Sequence, residues 1–264
     1  MSPFDEISLG QLNVIELSRE DARWQRPHEI LERDGVLLFA GSSEFPGFCN
    51  GVRRIDDAVP GARVVEMAQE FFSARGRGFS LWSRLLPVDD DLHVAALAAG
   101  INEFGDAPQM ICRHRGPDHD LPDGVTIELI KDRADVEHFA RIGGASYAIY
   151  GSPAEATESH FNGPDALTSP NVHAALARLG GEPVGAALIL MSHGIAGVYW
   201  VAVLEEARGR GIAYAITQFV TNLGFDLGAA NVQLQASTMG EPVYLRMGYE
   251  ELHRTRLHIG MPPA

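Results

Sequence analysis

The stretch VYWVAVLEEARGRGIAYAIT, Val198 to Thr217, constrains this chain more than any other, because it joins an apolar strand to an amphipathic helix through a turn carrying Gly209 and Gly211. The first amides of a helix have no acceptor inside the helix, and that end carries partial positive charge. Glycines in front of it let an anion reach the backbone with no side chain in the way. Beyond the turn, Ile212, Ile216, Phe219, Val220 and Leu223 recur at spacings of three and four, the signature of one apolar helix face. Arg208 and Arg210 add positive charge. A diphosphate suits such a turn. Two familiar phosphate fingerprints are missing, however: the sequence has no GxxxxGK[ST] and no GxGxxG with an acidic partner downstream.

What remains, Arg208-Gly-Arg-Gly211-Ile-Ala213 after the strand VAVLEEA, resembles the cofactor turn [Q/R]xxGx[G/A] of the GNAT acetyltransferase superfamily. The resemblance implies that the backbone of Val201, Ala202 and Val203 holds the pantetheine arm of acetyl-CoA. It assigns the pyrophosphate to Arg208, Gly209, Arg210, Gly211, Ile212, Ala213 and Tyr214. A second motif agrees with it. LQASTMGEPVYLRMGYEEL, Leu234 to Leu252, resembles the family's closing region, with Tyr244, Arg246, Gly248 and Tyr249 in a YxRxGY pattern. Coenzyme A leaves as a thiolate of reference pKa about 8.5, and a phenol near 10 beside it can donate a proton. By that resemblance Tyr244 is the expected catalytic acid; its plainer reading is a core tyrosine with a satisfied hydroxyl. Gly248 is expected to permit a tight helix exit, and Tyr249 to be core.

The resemblance implies a mixed α/β, α+β architecture, a GNAT acyl-CoA N-acyltransferase fold with two GNAT-like halves, the upstream region resembling a degenerate one. The polar run His114 to Gly124 reads as a linker, dividing residues 1–115, a degenerate GNAT-like domain, from a catalytic domain over 125–264, with 116–124 between them. Downstream, the hydrophobic pattern predicts βαβββαβαβ, with hairpin breaks at Gly180-Gly181 and His193-Gly194. Upstream, strands are expected at Gly35–Gly41, Cys49–Ile55, Phe79–Leu86 and Gln109–Arg115, with helices at Ala62–Arg75 and Asp90–Asn102. The sequence RGRG recurs at Arg75–Gly78, but there a helix precedes it and a strand follows. That order does not aim free amides at a phosphate, so it reads as a turn.

Composition narrows the partners. A net charge of −14 disfavours nucleic acid and anionic membrane, since phosphate recognition needs clustered Lys and Arg, and Lys131 is the only lysine. It leans toward a cationic or neutral substrate. No run of 18 apolar residues occurs, and the opening MSPFDEISLGQ has no signal-peptide character, so a cytoplasmic location is expected. The two cysteines, Cys49 and Cys112, form no CxxC and no disulfide framework; buried free thiols and no metal are expected.

The resemblance therefore implies an N-acetyltransferase that moves acetyl from acetyl-CoA to a primary amine by direct attack in a ternary complex. No Cys or Ser is placed to argue for a covalent intermediate. Two other classes remain: a non-catalytic acyl-CoA-binding or regulatory module, and a scaffold. GNAT enzymes often carry a carboxylate on the cofactor strand, and Gly197 to Leu204 has none. Acceptor-side candidates fall in Gly144 to Phe161: Tyr147, Tyr150, Glu155, Glu158 and His160. Each is also readable as a solvated loop residue. Ser237 reads as a strand-end cap or a cofactor contact, and His193 as an exposed turn residue. Sequence leaves open the acceptor, a small molecule or a protein amine, and the oligomeric state.

Overall fold

A computed structural model describes residues 2–261. Helix α1 (Pro3–Arg23) begins at a capping box, in which Ser2 Oγ accepts from the Asp5 amide and the Asp5 carboxylate accepts from the Ser2 amide. Strands β1 (Glu29–Arg33), β2 (Val36–Ala40) and β3 (Asn50–Arg54) follow, then helix α2 (Gly61–Ser73), β4 (Phe79–Arg84), α3 (Asp90–Ala98) and β5 (Asn102–Cys112). The second half runs β6 (Val125–Leu129), α4 (Arg133–Tyr147), α5 (Ala154–Ser159), β7 (Val172–Leu179), β8 (Glu182–Ser192) and β9 (Ile195–Val203). It finishes with α6 (Ile212–Asp226), β10 (Val232–Gln235), α7 (Glu241–Arg246) and β11 (Glu250–Gly260).

All eleven strands form one sheet in the order β1-β2-β3-β4-β11-β5-β10-β9-β8-β7-β6. The middle of that order is an exchange. Strand β11, from the end of the chain, lies between β4 and β5 of the first half and pairs antiparallel with both. Strand β5 in turn pairs with β10 of the second half, Val232 opposite Cys112 and Gln235 opposite Gln109. Each half thus supplies a strand that completes the other's hydrogen-bond ladder, and without it each would present a bare edge.

Each half buries its own helices against the sheet. In the first, Val64, Val65, Ala68 and Phe72 of α2 and Leu92 and Ala96 of α3 cover β2, β3 and β4. In the second, Val136, Phe139 and Ile142 of α4 and Ile216 and Val220 of α6 cover β7 to β10. Helix α1 links the two: Asn13 Nδ2 donates to Leu190 O (3.0 Å) and Ser192 Oγ (2.7 Å), Glu6 pairs with Arg113, and Gln233 Nε2 donates to Glu6 O (2.9 Å). The 116–124 run lies along α6, where Asn222 Oδ1 accepts from the Gly116 amide and Arg115 pairs with Asp226. Among the described residues no helix is long and apolar enough to cross a membrane.

The sheet splits twice. Parallel pairing of β9 with β10 covers only Ala196, Gly197 and Val198, and parallel pairing of β3 with β4 covers only Gly51 and Val52. Beyond those residues the neighbours part, leaving a wedge in each half.

Candidate active site

The second-half wedge begins at a slip in β9. Ala186 of β8 pairs with Ala202 but Leu188 pairs with Tyr199, so one extra residue of β9 is accommodated there. Trp200 takes the strain, at φ +55°, a region bulky residues rarely enter. After this bulge Val201, Ala202 and Val203 keep β8 on one edge and have no strand on the other. The chain then makes a short 3-10 turn over Glu205–Ala207 and passes through Gly209 (φ +75°) and Gly211 (φ +79°) into α6. Both angles need glycine.

Around that turn the backbone donors are free. Among the described residues, the amides of Gly209, Arg210, Gly211, Ile212, Ala213 and Tyr214 have no acceptor in the chain; the first helical bond runs from Ala215 N to Gly211 O. Buried Ile212 anchors the helix start, while Arg208, Gly209, Arg210 and Gly211 are exposed. Arg208 Nε donates to Val203 O (3.2 Å), tying the turn to the strand end. A cleft continues from Gly211 and Tyr214 between α6 and Arg115, His119 and Pro122.

Tyr244, on α7, is 8% exposed, and its hydroxyl has no hydrogen-bond partner among the described residues. Burial holds its phenol well above the ordinary range, with a smaller push from Tyr150. Tyr147 is raised likewise by burial and then by Tyr244 and Tyr150, so the three phenols lie close enough to sense one another. The Tyr147 ring also packs on Trp200 (5.3 Å between centroids) and on Phe48 (5.6 Å), the latter supplied by the first half. Glu155 and Glu158, the acidic candidates, are exposed and make no hydrogen bond or ion pair among the described residues, although Glu158 lies against Gly144. Ser237 Oγ accepts from the Gly240 amide, which is the cap role. Tyr249 is buried with its hydroxyl on Thr221 Oγ1 (2.7 Å), and Gly248 turns the chain at φ +86°. His193 is exposed, at φ +53° in its hairpin turn.

His160 departs from its reading as a loop residue on the acceptor side. It is fully buried, with Nε2 3.1 Å from Asp21 Oδ1, too bent for a hydrogen bond but within ion-pair reach. Its Nδ1 is 3.8 Å from Cys49 Sγ. The turn after α5 points the ring inward, toward a carboxylate on α1 that sequence reading did not weigh. Burial is the largest single influence and lowers its pKa; the Asp21 carboxylate and, to a lesser extent, Cys49 together outweigh it and raise the pKa to about 9. Asp21 Oδ1 also accepts from Trp200 Nε1 (3.3 Å), so the ion pair holds the bulge residue from behind. Cys49 and Cys112 are both buried free thiols.

The first-half wedge is closed. At the start of α2, the Gly61 amide donates to Asp91 Oδ2 (2.6 Å), and a side chain at Gly61 would meet the Leu92 backbone at 2.4 Å. Helix α3 thus fills the space at the start of α2. Arg54, held by Asp89 and Asp91, and Arg84, held by Asp89 and Asp57, fill the space beneath. The upstream RGRG is a turn: Gly76 adopts φ +61°, Arg75 pairs with Glu29, and Arg77 Nη1 donates to Gly41 O.

Comparison with known proteins places this geometry in a class. Residues 143–249 match the Acetyltransferase (GNAT) family, and that stretch is a GNAT domain. The whole chain has the fold of GNAT proteins. It superimposes on a GCN5-related N-acetyltransferase from Kribbella flavida with TM-score 0.68 and 19% identity, over 96% of each chain. A GCN5-related N-acetyltransferase from Sphaerobacter thermophilus gives 0.60 at 18% identity, over 89% of this chain and 83% of that one. A tandem GNAT protein from the clavulanic acid biosynthesis pathway, solved without AcCoA, gives 0.63 at 14%, over 100% of this chain and 98% of that one. No curated protein matched the sequence.

Proposed function

We propose that the chain is an N-acetyltransferase that carries acetyl from acetyl-CoA directly to a primary amine, with residues 125–264 as the catalytic unit and residues 1–115 as a GNAT-like half that has lost its cofactor site. The observation that carries the reading is the run of unclaimed amides from Gly209 to Tyr214 beside the unpaired edge of Val201–Val203. Together they offer donors for a diphosphate and a strand edge for the amide-bearing pantetheine arm.

The chemistry follows from that pose. An alkyl ammonium of pKa about 10.4 is neutral in only about one molecule in several thousand at pH 7, a handicap of roughly 4 to 5 kcal/mol. The aromatic lining around Tyr147 and Trp200 strips water from the acceptor, and that desolvation favours the neutral amine at the moment of attack. The amine nitrogen bonds to the thioester carbon, and backbone amides of the Val201–Val203 strand stabilise the oxyanion. The C–S bond then breaks, the proton on the newly bonded nitrogen passes to solvent, and Tyr244 gives its proton to the departing thiolate and takes one back from solvent. The raised pKa of Tyr244 keeps that proton in place until the thiolate forms. No carboxylate is assigned as base.

Titration calorimetry with acetyl-CoA, followed by thiol release with a panel of amines, tests the reading. Cofactor binding together with amine-dependent release of coenzyme A is expected. Binding without release under any amine would favour the non-catalytic acyl-CoA module, and absence of binding would refute both.

A further inference from the structure

Away from the wedge, three side chains from distant parts of the sequence converge on one face of the sheet. His258 lies on β11, Glu103 on β5 and His93 on α3, which covers the same face. His93 Nδ1 is 2.9 Å from His258 Nε2 and 3.9 Å from Glu103 Oε2, and one donor atom from each residue lies within 4.8 Å of the others. A bulge brings the pair on the sheet together. Leu257 pairs with Gly105 while His258 pairs with Glu103, so Phe104 is an extra residue of β5 and points away, 70% exposed. Bulges re-aim side chains, and this one sets Glu103 opposite His258.

We propose that His93, Glu103 and His258 form a binding site for a divalent transition metal, zinc in the first instance, which fastens the last strand of the chain into the first half. The donor set is right for zinc: two imidazoles and a carboxylate, leaving a fourth position for water. The spacing is close as well. Tetrahedral zinc with bonds of about 2.0–2.1 Å needs donor atoms about 3.3 Å apart, so His93 and His258 must separate slightly and Glu103 must close in by a small side-chain rotation. His258 is fully buried and makes no other hydrogen bond through its Nδ1, while His93 and Glu103 are partly exposed, which gives the ion a way in. Arg256 lies 3.9 Å from the same Glu103 oxygen and competes for it. A metal would have to displace that weak contact. Because Glu103 and His93 belong to the first half and His258 to the end of the second, an ion here would staple the exchanged strand at its far end.

The test uses the full chain, stripped with chelator and titrated with zinc chloride. One zinc per chain and a higher unfolding midpoint with metal are expected. Glu103→Gln and His93→Ala, at partly exposed positions where the fold should survive, are each expected to weaken binding by more than the about 10- to 100-fold that loss of an outer partner costs. Both variants are first checked by circular dichroism, and His193→Ala, at an exposed turn, serves as the control that keeps the wild-type isotherm. Cobalt substitution should give the absorption of a tetrahedral nitrogen and oxygen site. Absence of zinc binding to the wild type at micromolar metal overturns the proposal, and so does binding that Glu103→Gln and His93→Ala leave unchanged.

Discussion

Raising pH should weaken this protein earlier than its buried thiol and phenols alone would allow, because of the Asp21–His160 pair. In the unfolded chain His160 titrates near 6.5; in the folded one it titrates at about 9. Below pH 6.5 both states hold the proton, and the stabilisation from the pair is fully present. Between 6.5 and 9 only the folded state holds it, so stability falls by about 1.4 kcal/mol per pH unit. Above 9 the contribution is gone, after a total loss of about 3 kcal/mol, a ceiling for so buried a group. Other groups leave the middle of this window clear. His173, His253 and His258 are all lowered, chiefly by burial, so they act only below 6.5 and there stability rises with pH. Burial raises the Cys112 thiol, whose unfolded counterpart ionises near 9.0, so its destabilising effect comes later. Urea unfolding measured from pH 6.5 to 8.5 should therefore show a steady decline. Asp21→Asn leaves burial opposed only by the smaller influence of Cys49 on His160 and should abolish that slope. Proton NMR of the His160 ring supplies the second readout. A flat profile in the wild type, a His160 midpoint at or below 6.5, or a slope that survives Asp21→Asn would refute the argument.

Tyr244→Phe should lower turnover by about 10²- to 10⁴-fold while leaving acetyl-CoA affinity intact, read by thiol release and calorimetry. Gly211→Val forces a β-branched residue to φ +79° at the head of α6 and sets a Cβ 3.5 Å from Pro122; it should weaken cofactor binding at least tenfold and cost stability of about 1–2 kcal/mol. Gly61→Ala drives a methyl group into the Leu92 backbone and should destabilise by about 1–3 kcal/mol in chemical denaturation without changing the Michaelis constant for acetyl-CoA. Residues 1–115 and 125–264, expressed separately, should each aggregate, and coexpression should restore soluble material; two well-behaved separate fragments would contradict the pairing of β11 with β4 and β5.

Much of the second half was legible because its signals are local. Strands β6 to β9 alternate or run apolar between glycine turns, and α6 carries a regular apolar stripe, so element type and order followed from spacing. The turn at Gly209 and Gly211 was legible for the same reason: its strand, glycines and helix are contiguous. Helix α1 and strand β1 went unread. Strand β1 is an outer strand with mostly exposed or half-exposed residues, which weakens its alternation. The apolar positions of α1 are mixed with Glu6, Asn13 and Asp21, whose partners lie far away in the sequence. Asp21 and Phe48 were illegible as site residues because both come from the first half, and only tertiary contact brings them to Trp200. Where β11 would go was equally hidden. Its sequence marks it as a strand, but the choice of neighbours depends on edges made far upstream, at β4 and β5.

The interleaving of β5 and β11 also bears on how the polypeptide matures at the ribosome. Strands β4 and β5 emerge early and must wait, with a gap between them the width of one strand, until β11 clears the exit tunnel. During that interval the sheet cannot be finished, and the waiting edges are open to any other extended peptide in reach. Emergence of β11, rather than of any strand before it, is therefore what lets β4 and β5 join a single continuous sheet.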